Sequence, residues 1–173
     1  MAQMNVSIPD QLKGWAESRV AEGRYSSTSD YVRDLVRRDQ EQEEKLRALR
    51  AAIDEGRSSG VRKDDRRHYC RRTQAPRLIL LELSEAADAD LVGILDYGVS
   101  LFGAETGEAY VAGFDDSFAL IAEHPLIGAV HDEVRPPIRS LPHGSHRIFY
   151  DLLDDRVIVQ RVLHKAMDVE RWV

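Results

Sequence analysis

The chain has one cysteine, Cys70, so no disulfide can form within it, and a reducing intracellular setting is expected. No apolar run is long enough to cross a bilayer and no signal-like leader opens the sequence. The expectation is a cytoplasmic protein with no membrane contact. Cations are scarce in one half only. Residues 78–173 carry 7 Lys+Arg against 17 Asp+Glu, whereas residues 1–77 carry 17 against 13. Such segregation in 173 residues fits two modules better than one core. The second half can bury a core unaided, but about 60 residues at the N-terminus would be marginal without a partner.

The first module is read as residues 1–60. Met4, Val6 and Ile8 alternate with Gln3, Asn5 and Ser7, the pattern of a short strand with one polar face. Leu12, Trp15, Ala16 and Val20 then recur at helical spacing up to Gly23. Ser27-Thr28-Ser29-Asp30 reads as a capping box, with Asp in place of the usual Glu or Gln. It opens a helix with a Tyr31, Val32, Leu35, Val36 face, expected to run on through Leu46, Leu49 and Ile53 to near Gly56. A lone strand leaves its backbone groups unpaired, so it is expected to pair with the same strand of a second chain. Residues 61–77 hold 7 Lys+Arg with Val61 and Tyr69 as the sizeable apolar groups, and read as a basic linker.

In residues 78–173, Arg77 to Leu83 is a strand candidate and Ser84 a helix cap. Ala87, Leu91, Ile94, Leu95 and Phe102 form one helical face, ended by Gly103. A second helix is expected over 106–122, with Tyr110, Phe114, Phe118 and Ile121 inward. Three extended runs follow, at 137–141, 147–153 and 157–163, separated by Pro142 with Gly144 and by Asp154-Asp155. In the last run Val157, Val159, Arg161 and Leu163 should share one face, and Ile158, Gln160, Val162 and His164 the other. The expected domain is α+β, a helical hairpin packed on an antiparallel sheet.

Two resemblances sharpen this reading. MNVSIPDQL, EGRYSSTSDYVRDLVRRDQE and KLRALRAAIDEGRSSG make residues 4–60 similar to the ParD antitoxins. IRSLPHGSHRIFY followed by VIVQRVLHKAMD makes residues 78–173 resemble the ParE toxins of the RelE/ParE superfamily. The first resemblance implies a ribbon-helix-helix fold, mainly α, that dimerises or assembles further through a swapped N-terminal strand and binds operator DNA. Gln3, Asn5 and Ser7 would then meet base edges, with Ser27 and Thr28 at the helix N-terminus against phosphate. An antitoxin of this family ordinarily continues into an apolar amphipathic tail that wraps its toxin. After Gly60 the sequence offers only the basic segment, so that tail is expected to be lost or replaced.

The second resemblance implies a toxin that binds DNA gyrase and has no catalytic residues. Its expected surface comprises Arg139, Arg147, Arg161, His164 and Trp172, with Val169 and Val173 beside the last. The enzymatic alternative is a ribosome-dependent mRNA endoribonuclease using Arg161, His164 and Arg147, with Arg139, Tyr150 and Lys165 as further candidates. A third reading is an inert toxin half that serves only as corepressor. Against the enzyme, Arg161 is expected to pair with a carboxylate and His164 with backbone. His143 and His146 flank a glycine turn with no cysteine near, so neither a metal site nor a cofactor is expected. Ser140, His143 and Asp151 make no triad by spacing.

Overall fold

A computed structural model describes residues 5–62, 69–72, 78–154 and 156–167. They fall into two compact units, residues 1–44 and residues 45–173. In the first, residues 5–9 belong to no helix or strand, and α1 spans Asp10–Ala21. Gly23, at φ 81°, turns the chain where a side chain would be strained. The next helix, α2, spans Thr28–Ser59 and contributes to both units. The capping box forms in a displaced version. Ser27 Oγ accepts from the Asp30 amide at 3.1 Å, while the Asp30 carboxylate accepts from the amide and hydroxyl of Ser26 at 3.2 and 3.1 Å. Those Ser26 bonds hold the Asp30 carboxyl below its usual range.

The second unit is built on a six-stranded sheet of order β1-β2-β6-β5-β4-β3. Its strands are β1 Tyr69–Arg72, β2 Leu78–Leu83, β3 Ala129–His131, β4 Ile138–His143, β5 His146–Leu152 and β6 Arg156–His164. Only part of this was expected. The segment read as linker supplies β1, antiparallel to β2, and the sheet is mixed because β2 lies parallel to β6. A chain leaving β2 must cross over through helices before it can return alongside in the same direction. Three helices, α3 Glu85–Phe102, α4 Ala104–Ala112 and α5 Phe114–Glu123, carry the chain to β3 at the far edge, and the antiparallel run β3-β4-β5 then brings β6 back beside β2. The single helix expected over 106–122 is therefore two, divided at Gly113. Phe102, expected to face inward, is 66% exposed.

The expected alternation of β6 also fails, for an identifiable reason. Phe149 pairs with Arg161 but Tyr150 pairs with Val159, so Gln160 is an extra residue opposite β5. The bulge reverses the face of every later residue. Val157, Val159 and Val162 accordingly enter one core with Leu81, Leu83, Ile148, Tyr150 and the buried residues of α3 and α5. Leu163 enters a second core on the opposite face, with Ile138, Phe149 and Val134. Leu49 and Ile53 of α2 complete that second core.

Candidate functional site

The second core shows what residues 45–59 do. Leu49 and Ile53 are four apart, on one side of α2, and both are completely buried against the sheet. One turn further on, Gly56 lets the helix backbone approach β6. A Cβ there would overlap the Gln160 carbonyl oxygen and lie 3.2 Å from Arg161 Cδ. Beyond it Arg57 grips Asp151 of β5 through Nε at 2.9 Å and Nη2 at 2.7 Å, and Nη2 also donates to Pro136 O at 3.0 Å. Gln160 Nε2, presented by the bulge, donates to the same carboxylate at 3.0 Å. The Asp151 hydrogen bonds push the Arg57 guanidinium above its usual pKa, so it is cationic at any working pH. The amphipathic stretch that covers this sheet face thus lies before Gly60, within the helix already expected over Leu46, Leu49 and Ile53, and not after it. Its stripe is short because a glycine and an arginine do part of its work.

Arg161 joins this segment to the helical side of the sheet. Its Nε and Nη2 make a two-pronged pair with Asp90 of α3, at 2.8 and 2.9 Å. Nη1 reaches Glu55 of α2 at 2.6 Å and Ala52 O at 3.2 Å. Asp90 also accepts from the Val162 amide at 2.8 Å. These bonds raise the guanidinium pKa above its usual value, the Asp90 contact most. The chain leaving α2 is then stitched to the start of α3. Glu85 N donates to Gly60 O at 2.9 Å, Ala86 N to Ser59 Oγ at 3.1 Å and Arg62 N to Leu83 O at 3.0 Å, and Arg62 pairs with Asp88.

The other expected site residues fall apart from one another. Gln3, Val169, Trp172 and Val173 lie outside the described residues. Asn5 and Ser7 are exposed, and Thr28 begins α2 directly after the capping Ser27. Arg139 donates inward, to the carbonyls of Leu126 at 3.1 Å and Gly128 at 2.9 Å. Arg147 Nη1 donates to Ser140 Oγ at 3.1 Å. His164 Nδ1 accepts from Ala166 N at 3.2 Å, and its ring centroid is 5.4 Å from that of His146. Tyr150 is buried, with its hydroxyl donating to Pro125 O at 3.0 Å and accepting from Gly128 N at 2.9 Å. Burial raises its pKa. Of the three leading nuclease candidates, Arg161 and Arg147 are committed to bonds within the fold. Among the described residues no cluster of His, Cys, Asp and Glu is arranged to hold a metal.

One constellation was missed. Glu133 Oε1 lies 2.9 Å from His131 Nδ1, and His131 Nε2 lies 2.7 Å from Ser140 Oγ. Ser140 is completely buried, so no substrate reaches it, and the relay works as a satisfied polar bridge between β3 and β4. Its only sequence signal was a histidine in a strand that had not been anticipated.

Comparison with known proteins divides the chain the same way twice. Residues 81–169 match the model of the ParE toxin of the type II toxin-antitoxin system parDE. Residues 2–75 match that of the bacterial antitoxin of the ParD type II system and RHH. The chain is 54% identical over 61 residues to Antitoxin ParD4 of Caulobacter vibrioides, covering 35% of this chain and 64% of that antitoxin's length. It is 40% identical over 90 residues to Toxin ParE1 of Mycobacterium tuberculosis, covering 51% of this chain and 92% of that toxin. A solved chromosomal ParDE TA system from P. aeruginosa aligns at TM-score 0.44 and 21% identity, over 49% of this chain and 92% of that one.

Proposed function

Because this chain belongs to the ParE toxin family and carries a ParD antitoxin region in the same polypeptide, we propose that it restrains its own toxin half in cis. The observation that carries this reading is the complete burial of Leu49 and Ile53 on the sheet of residues 78–167. Burying two such side chains is worth about 1.5–3 kcal/mol each, and the Arg57 and Arg161 ion pairs set the register of the contact. The toxin half acts by binding DNA gyrase, with His164 and Trp172 on the contacting surface and no catalytic group of its own. The inward engagement of Arg139, Arg147 and Arg161 weighs against cleavage of RNA and removes those three from a free cationic surface.

The N-terminal half binds operator DNA as a dimer and represses transcription of its own gene. Its apolar residues support a second copy as partner: Val6, Leu12, Trp15, Leu35 and Val36 are exposed in the single chain. Pairing of residues 4–8 between copies would present Gln3, Asn5 and Ser7 to base edges, with Ser27 and Thr28 against phosphate. The combination Asn5→Ala, Ser7→Ala should remove operator discrimination in a salt-titrated binding assay while leaving the dimer intact. Unchanged selectivity would end the ribbon assignment.

The cis reading is tested with the full chain in growing cells, comparing wild type with Leu49→Asp, Ile53→Asp. The wild type should leave growth and plasmid supercoiling normal. The folded variant, checked by circular dichroism, should arrest growth with progressive plasmid relaxation. Arrest with normal topology and cleaved mRNA would favour the endoribonuclease. Normal growth from a folded variant would mean a toxin half that is inert.

A further inference from the structure

The helical side of the second unit has a property that the covered sheet face does not share. Residues 84–128 contain nine Asp+Glu and no Lys or Arg. Asp88 and Asp90 are paired with Arg62 and Arg161, but Asp96, Glu105 and Glu108 make no ion pair among the described residues. The same helices expose apolar surface: Tyr97 is 65% and Phe102 66% exposed, with Val92 and Leu101 also open to solvent. The helices α3 and α4 cross in contact at Gly98 and Gly107, where a Cβ on Gly107 would meet Val99 N at 2.7 Å. That close crossing forms the floor of a groove of about 970 Å³, walled by Tyr97, Phe102 and Tyr110 and rimmed by His146 at the end of the sheet.

We propose that this groove docks a basic segment of the toxin's protein target, anchored by an aliphatic or aromatic side chain. The proposal rests on the reading that the toxin half acts by binding a protein. Charge complementarity selects the occupant. Nucleic acid and anionic lipid are repelled by helices on which Asp96, Glu105 and Glu108 have no cation partner among the described residues, and a second copy would set the same acidic face against itself. A segment with Lys or Arg flanking an apolar residue satisfies both halves of the surface. Its cations face Asp96, Glu105 and Glu108, and its anchor fills an aromatic-walled cleft of the kind that concentrates binding energy. Residues 45–59 occupy the other face of the sheet, so the groove stays open in the restrained chain. Docking is therefore a step separate from poisoning.

The test uses the full-length protein and a fluorescein-labelled synthetic helical peptide with Lys on one face and Leu and Trp on the other. Fluorescence anisotropy should show saturable binding. Tyr97→Ala with Phe102→Ala should weaken it roughly tenfold, and Glu105→Lys with Glu108→Lys should weaken it in a salt-dependent way. Leu126→Ala, which alters an equally exposed apolar residue outside the groove, should change nothing. Equal binding of a peptide whose Leu and Trp are replaced by Ala would reduce the effect to bulk charge and overturn the proposal. So would wild-type affinity in the Tyr97, Phe102 variant. A supercoiling assay with purified gyrase and the full-length Leu49→Asp, Ile53→Asp variant, in which the covering contact is broken, separates the two readings: peptide docking without gyrase inhibition by that variant strikes gyrase as target and leaves the groove standing.

Discussion

Replacing Gly56 by alanine sets two effects of opposite sign against each other. In a solvated helix the change stabilises by about 1 kcal/mol, because glycine has the greater backbone freedom to lose. Here the new methyl group would overlap the Gln160 carbonyl oxygen and stand 3.0 Å from its carbon. Neither partner yields easily, since one is helix backbone and the other a bulged strand. Relief requires α2 to withdraw from β6 by roughly an ångström, and overpacking of this kind costs about 1–3 kcal/mol. Withdrawal also loosens Ile53 and Leu49, one and two turns back on the same side, and lengthens the Arg57–Asp151 bonds. The net expectation is a loss of about 1–2 kcal/mol localised to this contact, or roughly a tenfold rise in the opened population. Hydrogen exchange at the Leu49 and Ile53 amides should accelerate by that factor, with slowed growth on expression. Gly14→Ala is the control, since it adds a methyl to α1 with nothing within 4 Å and should be neutral or slightly stabilising. If Gly56→Ala behaves like Gly14→Ala, the close approach of α2 to β6 is wrong.

Arg161→Ala should cost about 2–4 kcal/mol in chemical denaturation, because it leaves the 14%-exposed Asp90 carboxylate without its cation. Arg161→Lys should recover only part, since an ammonium cannot reproduce the two-pronged geometry; full recovery by lysine would show that charge alone matters. The same variant with His164→Ala should leave mRNA intact, and loss of a cleavage activity in it would restore the nuclease reading. His146 gives a pH prediction. Burial, then its neighbours His164 and His143, lowers its pKa in the fold, so the unfolded chain binds the proton more readily. Stability should be fully present above the unfolded value of about 6.5 and decline as pH falls below it. His146→Gln should flatten that slope between pH 7.5 and 5, measured as the urea midpoint. An unchanged slope would remove His146 as its source.

The legible parts of this chain were those set by local chemistry. Ser84 accepts from the Ala87 amide as a cap should, Gly103 ends α3, and the three C-terminal strands lie within a residue or two of their expected limits. What escaped were features set by distant partners. Nothing local announces that Gln160 is a bulge, yet it inverts the face of Val162 and Leu163. The covering of the sheet by α2 was also set at a distance, by residues lying before Gly60. Leu49, Ile53 and Gly56 had already been placed on α2, but as its polar-flanked extension and its stop. Gly56 read as a terminator, whereas it is a contact residue three positions before the helix ends at Ser59. Arg161 was correctly expected to have a carboxylate partner, but its partners are 71 and 106 residues away in the chain.

Under the cis restraint proposed above, the placement of Leu49 and Ile53 on the same polypeptide as the sheet they cover changes the kinetics of restraint. When an inhibitor is a separate chain, its hold depends on concentration, and dilution or selective loss of the inhibitor frees its target. Here the two are joined in fixed one-to-one ratio, and the covering segment sees its surface at an effective concentration on the order of millimolar. Falling expression does not weaken that hold, and degradation removes both together. Cutting the backbone between Arg62 and Leu78 would turn the contact into a bimolecular one, after which ordinary dissociation applies. A toxin joined to its restraint in this way responds to opening or cleavage of one molecule, not to a shifting balance between two.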